Sequence, residues 1–147
     1  MPKLFPSKLD IQAKHSLIIV YSFFALFLTN IIILWLAHTL FPTQIVLGTY
    51  AISPGWAIYH SMLKLTTIGL LAMQLLTIYQ WKQKITFGSQ QLMLIHFAIN
   101  SAALWEITRF ATQLGFGISS WIVILLLSLV VTAAQRASMM ILGKAVK

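Results

Sequence analysis

The sequence predicts an all-α integral membrane protein, a bundle of four spanning helices. Hydrophobic residues make up 59% of its 147 residues and charged residues only 8%, whereas roughly 25% of the residues in soluble domains are charged. A soluble fold this apolar would expose large hydrophobic patches. Two connections rich in proline or glycine and one basic connection separate four long apolar stretches, each long enough to cross the roughly 30 Å hydrocarbon core of a bilayer as a helix.

Local signals place these helices along the chain. We expect them at residues 16–41, 54–81, 90–113 and 118–142. The first ends at Pro42, and the second begins at Pro54, a residue that suits the first turn of a helix. Gly143 is a plausible stop for the fourth. The uncharged run 44–50, between the first two helices, looks extended and should lie near the bilayer surface.

Charge at the helix flanks predicts the topology. Lysines occur in the tail 1–15, in the connection between the second and third helices (Lys82 and Lys84) and in the tail 143–147, whereas the other two connections carry no charge. Lys and Arg concentrate in cytoplasmic segments of membrane proteins. The sequence therefore predicts that both termini and the Lys82/Lys84 turn are cytoplasmic.

Five ionisable side chains fall in the outer half of the predicted membrane region: His38, His60, Lys64, Glu106 and Arg109. Counted at about 1.5 Å per residue from the outer helix ends, Lys64 lies about 13 Å deep and Glu106 about 10 Å. A charge at the bilayer centre costs roughly 2.5–3.5 kcal/mol, so matching depths predict a Lys64–Glu106 ion pair, with Arg109 sharing the carboxylate. The cluster could lock two helices together, form an ion or proton pathway, or contact another protein.

A second polar group is expected in the middle of the membrane. Its members are Asn30, Asn100, Ser128, Thr132 and Gln135. Ser128, Thr132 and Gln135, with Arg136, fall on one side of the fourth helix, and this side should therefore face protein rather than lipid. Polar side chains in spanning helices commonly hydrogen-bond to a neighbouring helix. The two asparagines fit that role, or a paired polar site.

The two asparagines also belong to an internal repeat. The pattern Phe-x-x-Asn-x-x-x-Leu-Trp occurs at 27–35 and again at 97–105, and each copy is followed by a turn, an Ile-Ser pair and a Trp. Both copies would start on the same side of the membrane. The pattern therefore predicts two parallel helical hairpins, related by an axis along the membrane normal.

Catalytic and cofactor chemistry is not indicated. The chain has no cysteine, which excludes disulfides and thiolate metal sites. His60 and His96 lie at different depths and do not suit a bis-His haem. No catalytic triad, metal-spaced cluster or phosphate-binding loop is present. The basic residues form no single face for nucleic acid. We therefore predict no enzyme activity, no cofactor and no metal.

The Asn-x-x-x-Leu-Trp pattern, a turn with Pro or Gly, and an Ile-Ser pair before a Trp resemble the small four-helix bacterial membrane proteins grouped as the phage-holin-like, mycobacterial four-span family. The resemblance covers about residues 27–132. It implies a multi-pass protein of the bacterial inner membrane. It assigns no functional residue, and Lys64, Glu106 and Arg109 lie outside its pattern.

The leading functional prediction is a non-enzymatic membrane protein. It would act through self-association or as a subunit of a larger membrane assembly, with the lipid bilayer and another membrane protein as its partners. One alternative is a holin-like or channel-like oligomeric pore. Another is a small proton- or ion-coupled transporter that uses Glu106.

Overall fold

A computed structural model describes the backbone of residues 8–145 and the side-chain surroundings of residues 16–144. In chain order, its elements are α1 (Lys8–Leu40), β1 (Ile45–Leu47), α2 (Pro54–Gln83), α3 (Ser89–Arg109), α4 (Ala111–Leu114), β2 (Phe116–Ile118) and α5 (Trp121–Ala145). Three helical segments are long and apolar enough to cross a membrane: Ser16–Leu40, Pro54–Gln83 and Trp121–Lys144. The helix α3 is less apolar and is not one of them.

The helix boundaries agree closely with the predicted ones at the end of the first helix and over the second, and differ elsewhere. The second helix begins at Pro54 as predicted, capped by the Ser53 hydroxyl, which accepts a hydrogen bond from the Trp56 amide. The predicted third helix, 90–113, instead ends at Arg109 and is followed by the short α4. The predicted start of the fourth helix lies in β2. The helix α1 extends into the predicted tail 1–15, whose first seven residues, like residues 146–147, lie outside the described part of the chain.

The four long helices pack as a ring. Both α1 and α3 contact α2 and α5, while the diagonal pairs make no contact in the described residues. The strands β1 and β2 pair with each other, so the ends of α1 and α3 meet the starts of α2 and α5 at one end of the ring. We call this the sheet end. The opposite end, which contains the turn 84–88, is the open end.

The short sheet joins the two helical hairpins. Its strands are antiparallel, with Val46 opposite Gly117 at the centre. Two flanking backbone hydrogen bonds extend the pairing, from Gly48 N to the Gly115 carbonyl at 2.7 Å and from Ser119 N to the Gln44 carbonyl at 2.9 Å. Backbone groups near lipid need internal partners. The sheet supplies them where the chain leaves its helices.

All buried apolar side chains of the described residues lie in the sheet-end half. In α1 the buried one is Leu34, and in α3 they are Ala103, Leu104 and Ile107. Both strands add side chains to this core, the largest being Phe116. Towards the open end, beyond Asn30 and its neighbours, no apolar side chain of the described residues is buried. The bundle is therefore tightly packed in one half and loosely packed in the other.

Burial follows the same pattern in the two hairpins. In α1 and α3, residues 70 positions apart match: Asn30 and Asn100 are buried, whereas Trp35 and Trp105 are 54% and 51% exposed. In α2 and α5 the matching positions are 66 residues apart. Four such pairs are buried in both helices: Ser61 and Leu127, Met62 and Ser128, Leu65 and Val131, and Thr66 and Thr132. The other buried residues, Ala57, Ile124 and Gln135, correspond to positions that are partly buried.

Candidate functional site

A chain of buried hydrogen bonds links all four long helices. We call its members the polar layer: Asn30, Thr66, Asn100, Thr132 and Gln135. Asn30 Nδ2 donates to Thr66 Oγ1 at 2.9 Å. Asn100 Nδ2 donates to Thr132 Oγ1 at 3.0 Å and to Gln135 Oε1 at 2.9 Å. Gln135 Nε2 then donates to Asn30 Oδ1 at 2.9 Å. All five side chains are buried.

Gln135 connects two similar halves of the polar layer. In each half an asparagine donates to a threonine of the next helix, Asn30 to Thr66 and Asn100 to Thr132. Among the described residues, only Gln135 joins these pairs directly. Unpaired polar groups are expensive to bury, so this bridge keeps α1 and α5 in one relative position.

Four members of the polar layer were predicted from the sequence as polar residues in the middle of the membrane, and the structure brings those four together. The fifth, Thr66, was missed, although it corresponds to Thr132 in the second hairpin. Predicted residue Ser128 is buried outside the network, because its hydroxyl donates to the Ile124 carbonyl of its own helix at 2.7 Å.

A cavity of about 710 Å³ lies beside the polar layer in the open-end half. All four long helices line it, and Thr66, Asn100, Thr132 and Gln135 form its floor. Most of the wall is apolar. Four methionines line the cavity: Met73, Met93, Met139 and Met140. The cavity occupies the space that a hydrophobic core fills in the other half.

Polar groups in the cavity wall include several without a protein partner. Asn100 Oδ1, the Ser22 hydroxyl and the His96 ring make no hydrogen bond among the described residues, and all three side chains line the cavity. Arg136, also in the wall, donates to Ser89 Oγ at 2.7 Å and to the Met93 sulfur at 3.4 Å. Neither of these partners carries a charge.

The predicted Lys64–Glu106 ion pair is wrong, as no ion pair joins these side chains in the described structure. Lys64 Nζ instead lies 5.0 Å from the centroid of the Phe110 ring. The Arg109 guanidinium lies 4.5 Å from the Trp105 ring and does not share the carboxylate. Glu106 is exposed and has neither an ion-pair nor a hydrogen-bond partner among the described residues.

The helix rotation explains this correction. The helix α3 turns Asn100, Ala103, Leu104 and Ile107 inwards, and Glu106 lies outside that face. The helix also ends at Arg109. This places Glu106 in its last turn, closer to the sheet end than a helix reaching residue 113 would.

The two histidines of the predicted charge cluster serve other contacts. His38 Nδ1 donates to the Ile45 carbonyl at 2.7 Å, which holds the end of α1 against β1. His60 Nδ1 donates to the Trp56 carbonyl at 3.2 Å, and its ring lies 4.4 Å from the Trp56 ring. Neither histidine touches Glu106.

Within the described residues, no group of three His, Asp or Glu side chains is arranged to hold a metal ion. Comparisons with protein-family models, curated proteins and solved structures gave no match.

Proposed function

We propose that the chain crosses the membrane four times, with both termini in the cytoplasm. Three segments are sufficiently apolar, and two of them, α2 and α5, both run from the sheet end to the open end. If both cross, α3 has to cross back between them. The lysines of α2's last turn and of α5's last turn lie at the open end, which supports its placement in the cytoplasm.

The two hairpins would be repeats related by a pseudo-two-fold axis. Matched burial in the helices supports this proposal, as does the symmetric pairing of β1 with β2. The halves differ at one position of the polar layer, where Gln135 corresponds to Gly69.

The chain would act as a non-enzymatic membrane protein that assembles with a second copy of itself. The observation that carries this proposal is the carboxylate of Glu106, which is exposed and has no partner in the described structure. A lone charge facing lipid is unfavourable by up to a few kcal/mol, depending on its depth. A protein contact would relieve this cost.

Charge complementarity favours a second copy as that contact. Lys64, Glu106 and Arg109 are all exposed, and together we call them the outer charged face. In a two-fold dimer the same patch meets itself. Glu106 of each copy can then pair with Lys64 or Arg109 of the other, so that one surface satisfies both signs. The exposed rings of Trp105 and Phe110 add the aromatic contact area that is common in interfaces.

No specific observation favours the pore or the transporter. Both need polar groups along a passage, and the side chains of the outer charged face do not line the cavity. The sheet-end half of the bundle is filled by the apolar core.

A charge-exchange experiment tests the self-association proposal. Wild-type protein, extracted in mild detergent, is expected to give a dimer or a higher oligomer by native mass spectrometry. Glu106→Lys places three positive charges on the outer charged face and should yield monomers. Adding Lys64→Glu returns one charge of each sign to the pair and should restore the oligomer.

Lys82→Glu is the matched control, because it reverses an exposed charge in the last turn of α2, away from the outer charged face. It should leave the oligomer intact. A monomeric wild type, or an oligomer that persists in Glu106→Lys, would contradict self-association. Wild-type chains found with a different protein in fixed proportion would also contradict it, and would favour a subunit of a mixed assembly.

A further inference from the structure

We propose that the open-end cavity binds an uncharged lipophile with a hydroxyl head group, which enters head first and hydrogen-bonds to the polar layer. This site is separate from the outer charged face. The binding proposal can therefore be tested independently of the self-association proposed above.

The size and walls of the cavity suit such a molecule. Its volume of about 710 Å³ falls within the roughly 300–1,000 Å³ of small-molecule pockets. Methionine side chains, which adapt to irregular apolar shapes, come from α2, α3 and α5. Because the buried apolar core lies wholly in the other half among the described residues, a hydrocarbon body would supply the missing packing here.

The floor of the cavity contains a hydrogen-bond acceptor that the protein leaves unused. Asn100 is only 2% exposed, and its amide nitrogen already donates to Thr132 and Gln135. No donor among the described residues reaches its Oδ1. The atom faces the cavity, and a ligand that covers it without donating a hydrogen bond would lose about 1–3 kcal/mol. A ligand that donates to Asn100 Oδ1 avoids that cost.

The neighbouring groups favour a hydroxyl over an acid. A hydroxyl donates one hydrogen bond and accepts others, so it can donate to Asn100 Oδ1 while it accepts from the second N–H of Gln135. His96, one turn from Asn100, and Ser22 on α1 line the same cavity and are able to donate or accept. A carboxylate at the polar layer would meet the Asn100 carbonyl oxygen and no cation, because Arg136, the cation that lines the cavity, donates to Ser89 at the start of α3.

Gly69 offers a way to close the site without touching the polar layer. It lines the cavity, and a Cβ built there meets no atom within 4 Å. Leucine at this position would extend into the cavity. It should also favour the helix, since glycine is a poor helix former by about 1 kcal/mol.

The experiment uses the full chain in lipid nanodiscs and a long-chain primary alcohol that carries a mid-chain diazirine. After photolysis, peptide mapping should place the label on cavity-lining segments of α2, α3 and α5, and excess 1-dodecanol should compete with it. Gly69→Leu should reduce the competed labelling about tenfold, equivalent to about 1.4 kcal/mol. The carboxylic acid of the same length should label weakly.

Gly143→Leu is the matched control, because its Cβ also meets nothing within 4 Å and the residue lies outside the cavity. It should label like wild type. His96→Leu gives a second reduction if Gly69→Leu fails to fold, as judged by its thermal unfolding. Labelling that 1-dodecanol does not compete, that survives Gly69→Leu in folded protein, or that the acid matches would overturn the proposal.

Discussion

Replacing Gln135 with leucine is expected to destabilise the fold by about 2–4 kcal/mol. Leucine has a similar size, so the substitution removes hydrogen bonds while changing the packing volume little. Gln135 accepts from Asn100 and donates to Asn30. Without it, Asn30 Oδ1 loses its partner inside the bundle, and the bridge between the two asparagine–threonine pairs is broken. The change can be measured by unfolding in mixed micelles with increasing dodecyl sulfate, followed by circular dichroism.

Gln74→Leu is the matched control for this measurement. Gln74 is exposed on α2 and makes no side-chain hydrogen bond among the described residues, so its replacement should change stability by less than about 0.5 kcal/mol. Adding Asn30→Leu to Gln135→Leu should cost less than the sum of the single changes, because the two residues share one hydrogen bond. Equal effects of Gln135→Leu and Gln74→Leu would contradict the bridging role of Gln135.

Gly115→Ala is expected to destabilise the protein by about 2–4 kcal/mol, through strain at the sheet end. Gly115 has a φ of +71°, a conformation that residues with a Cβ adopt at a cost. An added Cβ would also lie 2.9 Å from Ile52 Cγ2 and 3.0 Å from Ala57 Cβ. The same unfolding measurement would detect this loss.

Gly143→Ala provides the comparison for Gly115→Ala, because that glycine is helical and its Cβ would meet no neighbour. It should be neutral or slightly stabilising. Ile52→Ala combined with Gly115→Ala should recover part of the loss by removing the close methyl group. If Gly115→Ala were as stable as Gly143→Ala, the tight contact between the α4–β2 turn and the segment before α2 would be wrong.

The sequence predicted the features that depend on local pattern. The apolar run after His15 predicted most of α1, and the proline at position 54 predicted the start of α2. The run 44–50 was expected to be extended, and residues 45–47 within it form a strand. The pairing of that strand with Phe116–Ile118 joins parts of the chain that are far apart. Nothing in the short glycine-rich run before α5 signals this partner, and the run was predicted to be a turn followed by helix.

The charge cluster shows a limit of reasoning from depth. Counting residues gives a position along the membrane normal but not the rotation of a helix about its axis. Lys64 and Glu106 matched in depth, yet Lys64 lies against Phe110 and Glu106 remains without a partner in the described structure. Arg109 likewise turns to Trp105.

The polar layer shows the opposite case. Asparagine and glutamine in apolar helices are conspicuous in the sequence, and four residues of the layer were named from it. Thr66 was not, because a threonine in a helix commonly bonds its own backbone. Thr66 does so by donating to the Met62 carbonyl, and it accepts from Asn30 in addition. The cavity has no local pattern in the sequence, since it results from the loose packing of four helices.

Cysteine accessibility in whole cells tests the four-span topology most directly. The chain has no cysteine, so a single one can be placed at Tyr50, at Gln113 or at Gln83, all exposed. A membrane-impermeant maleimide should label the first two in intact cells, and Gln83→Cys only after permeabilisation. Labelling of Gln113→Cys from the same side as Gln83→Cys would show that α3 does not cross the membrane, and would contradict the account.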